Sequence, residues 1–206
     1  DAKSIEKGVQ IYGSIAGKTD RKTIWLKGKC SAGFKKCFVF SQAGGESFTD
    51  SEGSTTTTGS NGHIVGIDPG HQGYNIDMSA TEPDGPGSST MKAKATSGTS
   101  GTYSGLPEYQ LNLDVSLLLK NILEQRGYQV VMTRTDNDTA ISNMERAQLV
   151  AGEGAEICVR VHANGDDSPD TEGALTMCPS AQNPYVSQLY DSSNRLSQCI
   201  VDSYCA

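Results

Sequence analysis

From His63 onward, short apolar runs alternate with stretches of helical periodicity, and this alternation limits the fold more than any other feature of the 206 residues. HIVGID, YQVVMT, EICVRVH and GALTMC each read as a strand, apolar in composition and bounded by turn-forming residues. Between the first two, PEYQLNLDVSLLLKNILEQRG places Leu111, Val115, Leu118 and Ile122 at helical spacing, with Pro107 at its start and Gly127 as a stop. SNMERAQLVAGEG gives a second amphipathic helix capped by Ser142, and NPYVSQLYDSSNRLSQCIVDSYCA a third that runs to the last residue, Ala206. Strands that alternate with helices form βαβ units, which build parallel sheets. The expectation is an α/β fold, a mostly parallel sheet flanked by helices, with a small N-terminal β-rich arm.

The arm, residues 1–49, holds two strand-like runs, KTIWLKG and KCFVFS. The stretch FTDSEGSTTTTGSNG has almost no apolar content and reads as a linker. It divides the chain into the arm at 1–49, a linker at 50–62 and an α/β domain at 63–206. Gly73 to Gly105 is long for a simple connection, which suits either a functional loop or a partly mobile one. The chain opens at Asp1 without a charged and apolar leader, so a fragment of a larger exported protein is expected.

Charge narrows the partners. A net charge of −7 lacks the basic footprint that phosphate neutralisation requires, which argues against nucleic acid. No run approaches the roughly 18–20 apolar residues of a membrane span. The six cysteines fit no standard zinc spacing. Cys158 reads as a small hydrophobe inside its strand; Cys30 and Cys37 are open to a disulfide or to free thiols.

The chain has three histidines, and two of them stand where α/β proteins gather their chemistry, outside the carboxyl ends of the strands. His71 follows the first strand in IDPGHQG, and His162 ends the third in RVHAN. Glu108 opens the first helix at the same edge. Two imidazoles and a carboxylate with coordination positions left open form a catalytic zinc arrangement. Each residue also has a plain reading: a hydrogen-bonded histidine near a strand end, a first-turn acid favoured by the helix dipole. The Asp-Pro-Gly-His-Gln-Gly turn could likewise serve as an anion loop, although no Walker or dinucleotide pattern accompanies it.

The order of these motifs resembles the zinc-dependent N-acetylmuramoyl-L-alanine amidases that act on peptidoglycan. Their D-P-G-H-G-G appears here as DPGHQG, their Glu-led helix as PEYQLNL, and their G-[VY]-x-V-x-x-T-R strand as GYQVVMTR. Their R-A-x-x-A helix appears as SNMERAQLVA, and their S-x-H-A-N strand end as VRVHAN, so the resemblance covers roughly the last 140 residues. It implies a Zn2+ ion on His71, Glu108 and His162, and hydrolysis of the amide between N-acetylmuramic acid and L-alanine. Peptidoglycan becomes the expected partner and a secreted or wall-associated bacterial protein the expected setting, with a monomer as the expected state.

Several positions depart from the family pattern. Gln72 stands where a second glycine is usual and is expected to touch substrate or the metal-bound water. Arg160 replaces a small residue. Asn164 is expected to contact substrate or orient a ligand, and Arg134 and Arg146 to brace the fold through carboxylates such as Asp136 or Asp138. The family's later E-x-G-F strand, whose Glu is taken as the general base, does not occur in these residues. That Glu, and the strand that carries it, are expected beyond Ala206. This chain alone is therefore expected to be a weak or inactive amidase, and a non-catalytic wall-binding or regulatory module is the alternative.

Overall fold

The computed structural model describes residues 60–101, 104–163 and 174–205, together with the backbone of Val9–Ser14. The expected strands at 22–28 and 36–41 lie outside the described residues. Strand β1 (Val9–Ser14) is followed by β2 (Ile64–Pro69), then a hairpin of β3 (Thr81–Pro83) and β4 (Met91–Ala93). Helix α1 (Glu108–Gln125), β5 (Gln129–Met132), α2 (Asn143–Gly152), β6 (Ile157–Ala163), β7 (Leu175–Met177) and α3 (Tyr190–Cys205) complete the order.

The main sheet runs β5-β2-β6-β1-β7. β2 lies parallel to both β5 and β6, as a pair of βαβ crossovers demands. β1 joins the sheet antiparallel to β6 and parallel to β7, with Ile11 opposite Val161 and Thr176. The α/β reading therefore holds: a mostly parallel sheet with flanking helices.

Side chains alternate across β2 and β6, and the two faces are packed differently. Val65, Ile67, Val159 and Val161 point to one side, where Leu119 and Leu123 of α1 and Ile200 of α3 close over them. Each such buried aliphatic side chain contributes about 1.5–3 kcal/mol. On the opposite face α2 comes so close that a Cβ on Gly66 would stand 2.2 Å from Val150 Cγ1. Glycine is needed there for space.

Helix ends follow local chemistry. Ser142 caps α2 by accepting from the Glu145 amide at 3.1 Å, and the Glu145 carboxylate accepts in return from the Ser142 amide at 2.8 Å. α3 begins at Tyr190, later than the sequence pattern suggests. Asn183 Oδ1 accepts from the amides of Tyr185 and Val186, turning the chain before a short 3-10 segment (Ser187–Leu189) leads into the helix. The hairpin was not expected within the long Gly-rich stretch. Glu82 pins it: the buried carboxylate meets Lys92 Nζ at 2.6 Å and accepts from the Met144 amide in the first turn of α2 at 3.2 Å.

Candidate metal centre

β2 ends in Asp68-Pro69, and the next residues turn sharply, with His71 the one non-glycine residue at positive φ (65°) among those described. His162 stands near the end of the neighbouring parallel strand. Glu108 is the first residue of α1, buried at 5% exposure. The fold thus brings the three expected ligands to one edge of the sheet.

Their donor atoms all lie within 4.8 Å of one another. Glu108 Oε1 is 3.1 Å from His71 Nε2 and 3.0 Å from His162 Nδ1. The two imidazoles meet edge to face, with ring centroids 4.6 Å apart. A tetrahedral zinc with bonds of about 2.0–2.1 Å would hold its ligand atoms roughly 3.3 Å apart, close to the two distances from Glu108 to the imidazoles.

Protonation strengthens the fit. His71 Nδ1 faces the Thr96 carbonyl at 2.8 Å, and a carbonyl only accepts, so the ring proton belongs on Nδ1. Nε2 then turns a lone pair toward a carboxylate oxygen. Two acceptors at 3.1 Å repel unless a proton or a cation lies between them. Burial holds the His162 imidazole down at about 4, against the Glu108 bond that acts the other way, so the ring is neutral near pH 7. Burial alone would raise the Glu108 carboxyl. The His162 bond, the adjoining His71 ring and the Thr99 amide reverse that and keep it well below the usual carboxylate range.

The backbone fixes these groups closely. The amides of Thr99 and Ala163 donate to Glu108 Oε2 and Oε1 at 3.1 and 3.2 Å. A Cβ on Gly70 would lie 2.4 Å from two atoms of the His162 ring, so glycine forms the floor under that imidazole. Gly98, at φ +79°, passes beside both His71 and Glu108, where a Cβ would be 2.7 Å from Glu108 Oε2.

The family model for N-acetylmuramoyl-L-alanine amidase matches residues 65–204, which spans every element of this site. The chain belongs to this amidase family. Among the relatives, N-acetylmuramoyl-L-alanine amidase Rv3717 of Mycobacterium tuberculosis is 34% identical over 117 residues, covering 56% of this chain and 47% of that protein. LytC of Bacillus subtilis, also an N-acetylmuramoyl-L-alanine amidase, is 35% identical over 72 residues, covering 35% of this chain and 14% of that protein. The chain thus spans about half, or less, of the curated amidases it matches. The crystal structure of the amidase Ami1 from Mycobacterium smegmatis aligns at 30% identity and a TM-score of 0.48, covering 53% of this chain and 50% of that one.

Not every sequence expectation lands on the amidase site. Gln72 is 1% exposed, and its amide oxygen accepts from Arg146 Nη2 at 3.0 Å, so it faces the interior instead of a substrate surface. Asn164 lies outside the described residues, and so does Ala206, beyond which the general-base Glu is expected. Arg146 does pair with a carboxylate, but that of Asp68 at 2.8 Å, not Asp136 or Asp138. Arg134 instead donates to the carbonyls of Pro69, Gly70, Tyr109 and Asp136. Arg160 Nε also binds Asp68, and its Nη2 reaches Asn143 Oδ1 at 2.9 Å. Burial of Asp68 would raise its carboxyl, yet Arg160 and Arg146 outweigh that and keep it ionised well below the ordinary range. His63 meets Glu156 at 3.0 Å on the exposed side. Thr96 and Thr99 went unnoticed in the sequence, where nothing distinguishes them from the other threonines of their loop.

Proposed function

We propose that this chain carries the metal centre of an enzyme that hydrolyses the amide between N-acetylmuramic acid and L-alanine in peptidoglycan, with a zinc ion held by His71, Glu108 and His162. The observation that supports this reading is the convergence of His71 Nε2 and a His162 nitrogen on one carboxylate oxygen, with the His71 proton drawn to Nδ1 by Thr96, a geometry that a metal cation would satisfy. When bound, zinc would supply Lewis acidity toward the scissile carbonyl and a water whose pKa is lowered to about 7. The chain's own residues prepare that chemistry. Thr96 fixes the His71 tautomer, the amides of Thr99 and Ala163 hold the Glu108 carboxylate, and burial keeps His162 unprotonated. Residues 63–206 form the amidase unit in this proposal, acting as a monomer on the wall outside the cell. Among the described residues, no helix is long and apolar enough to cross a membrane.

The test pairs metal content with turnover. Purified protein should hold about one zinc per chain, lose it in His71→Ala, and release new L-alanine amino termini from peptidoglycan in a chelator-sensitive manner. Absence of zinc after zinc is supplied would refute the metal centre. Zinc without amide cleavage, by these residues and by the full-length protein alike, would leave a non-catalytic wall-binding module instead.

A further inference from the structure

The backbone between β2 and α1 carries three successive carbonyls, those of Pro69, Gly70 and His71, and each is taken by an arginine. Arg146 Nη1 donates to Pro69 O at 2.8 Å and Nη2 to His71 O at 2.9 Å. Arg134 Nε donates to Pro69 O at 2.9 Å, while its Nη2 donates both to Gly70 O at 3.0 Å and to Tyr109 O at 2.7 Å. Gly70 adjoins His71, and Tyr109 adjoins Glu108. One guanidinium nitrogen therefore spans the chain neighbours of two ligands.

We propose that Arg134 and Arg146 are positioning residues, a two-guanidinium clasp that sets the geometry of the metal site. Arg146 holds His71 in its left-handed backbone conformation, and Arg134 fixes the spacing between the His71 turn and the start of α1.

Three features separate this role from simple packing. A non-glycine residue at φ 65° is strained by its Cβ and relaxes unless its surroundings hold it. The clasp supplies that hold through the carbonyls on both sides of the strained residue. Each arginine is also fixed from behind, which keeps its fork aimed. Arg146 is gripped by Asp68 Oδ1 at 2.8 Å and donates to Ile141 O at 3.2 Å. Arg134 donates to Asp136 O at 2.9 Å and Asn137 Oδ1 at 3.1 Å. Finally, the two cations are kept side by side at a cost: burial, and then the Arg146 charge, bring Arg134 down to about 10. Lysine lacks the planar fork that meets two or three carbonyls at once, so Arg→Lys keeps the charge and removes the clasp.

The zinc half of this inference rests on the ligand set proposed above; a second readout does not. In Arg134→Lys and Arg146→Lys, zinc affinity measured by chelator competition should fall roughly 10- to 100-fold. Amide hydrogen exchange of the metal-free chain provides the other readout. Gly70 N donates to Val161 O at 2.9 Å and Gly73 N to Asn137 O at 2.7 Å. Both amides should exchange at least about ten-fold faster in the variants, while the protection of Val65, Ile67 and Val159 stays that of the parent. Gly152→Ala, at the far end of α2 with nothing within 4 Å of its Cβ position, serves as the comparison and should leave zinc affinity unchanged. If Arg146→Lys fails to fold, Arg134→Lys and Arg134→Gln decide. Folded variants with parental zinc affinity and parental exchange at Gly70 and Gly73 would overturn the clasp. If the parent binds no zinc, the ligand set fails, and the exchange rates still judge the clasp.

Discussion

Replacing Gly70 with alanine tests the metal centre through one added methyl group. The added Cβ would lie 2.4 Å from Cε1 and Nε2 of His162 and 2.8 Å from its Cδ2. Ordinary carbon contacts begin near 3.4 Å, so the imidazole must retreat by about 1 Å. It cannot yield as the end of a flexible side chain does, because the ring is fixed between Glu108 and the strand that carries it. Gly70 is not among the residues at positive φ, so the backbone itself accepts alanine. The cost is therefore steric, about 1–3 kcal/mol of overpacking, and the fold should survive it. Metal sites tolerate ligand displacements of only about 0.2 Å, roughly five times less than the shift required. Zinc affinity should fall by roughly 100-fold, the upper range for disturbed ligand support. Chelator competition measures the affinity, and a thermal melt of the metal-free chain shows that the variant is folded. Gly152→Ala is the control, since nothing lies within 4 Å of its Cβ position. A folded Gly70→Ala protein that binds zinc as tightly as the parent would refute the placement of His162 in the site.

Asp68→Asn should destabilise the chain by about 3 kcal/mol at neutral pH, because it leaves the buried Arg146 without its counter-charge. The native carboxyl is depressed below its ordinary 3.8, so its contribution is present above that value and is lost as pH falls through the folded one. Urea unfolding across a pH series should show the gap between parent and variant closing only in strong acid; a gap that instead closes near neutrality would contradict the pairing. Ser142→Ala removes the cap and one half of the capping box on α2, and a loss of about 1 kcal/mol in the same assay is expected.

The parts of the molecule legible in the sequence are those specified locally. Strand β6 announces itself by Val159 and Val161 alternating with polar neighbours; α1 also occurs where expected, although its buried face runs through Leu119 and Leu123 and leaves Leu118 exposed. His71, Glu108 and His162 were legible because strand ends in a parallel sheet share one edge, so motifs distant in sequence could be placed together. The hairpin of β3 and β4 had no such signature. Thr-Glu-Pro and Met-Lys-Ala are too short to carry a pattern, and what holds them is the Glu82 carboxylate, paired with Lys92 and joined to α2 at the Met144 amide. Arg134 and Arg146 were recognised as braces, but their partners are chiefly backbone carbonyls, which every residue possesses and no sequence distinguishes. Asp68 read as a turn former and proved to be the shared counter-ion of two arginines. Gln72 followed the same logic: beside a ligand in sequence, yet turned inward by a hydrogen bond to a residue 74 positions away.

That dispersion also governs how the site is born. The Arg146–Asp68 bond joins residues 78 positions apart, Arg160–Asp68 spans 92, and His162 meets Glu108 across 54. Closing such long loops is slow, and none of these bonds repays its cost until β6 has docked beside β2. A ribosome-bound chain that has emerged only through α2 carries two of the three ligands and no Arg160. It should therefore have little hold on zinc. On the proposed ligand set, metal capture would wait until β6 has docked, and metal loss under denaturant should coincide with the global transition instead of preceding it.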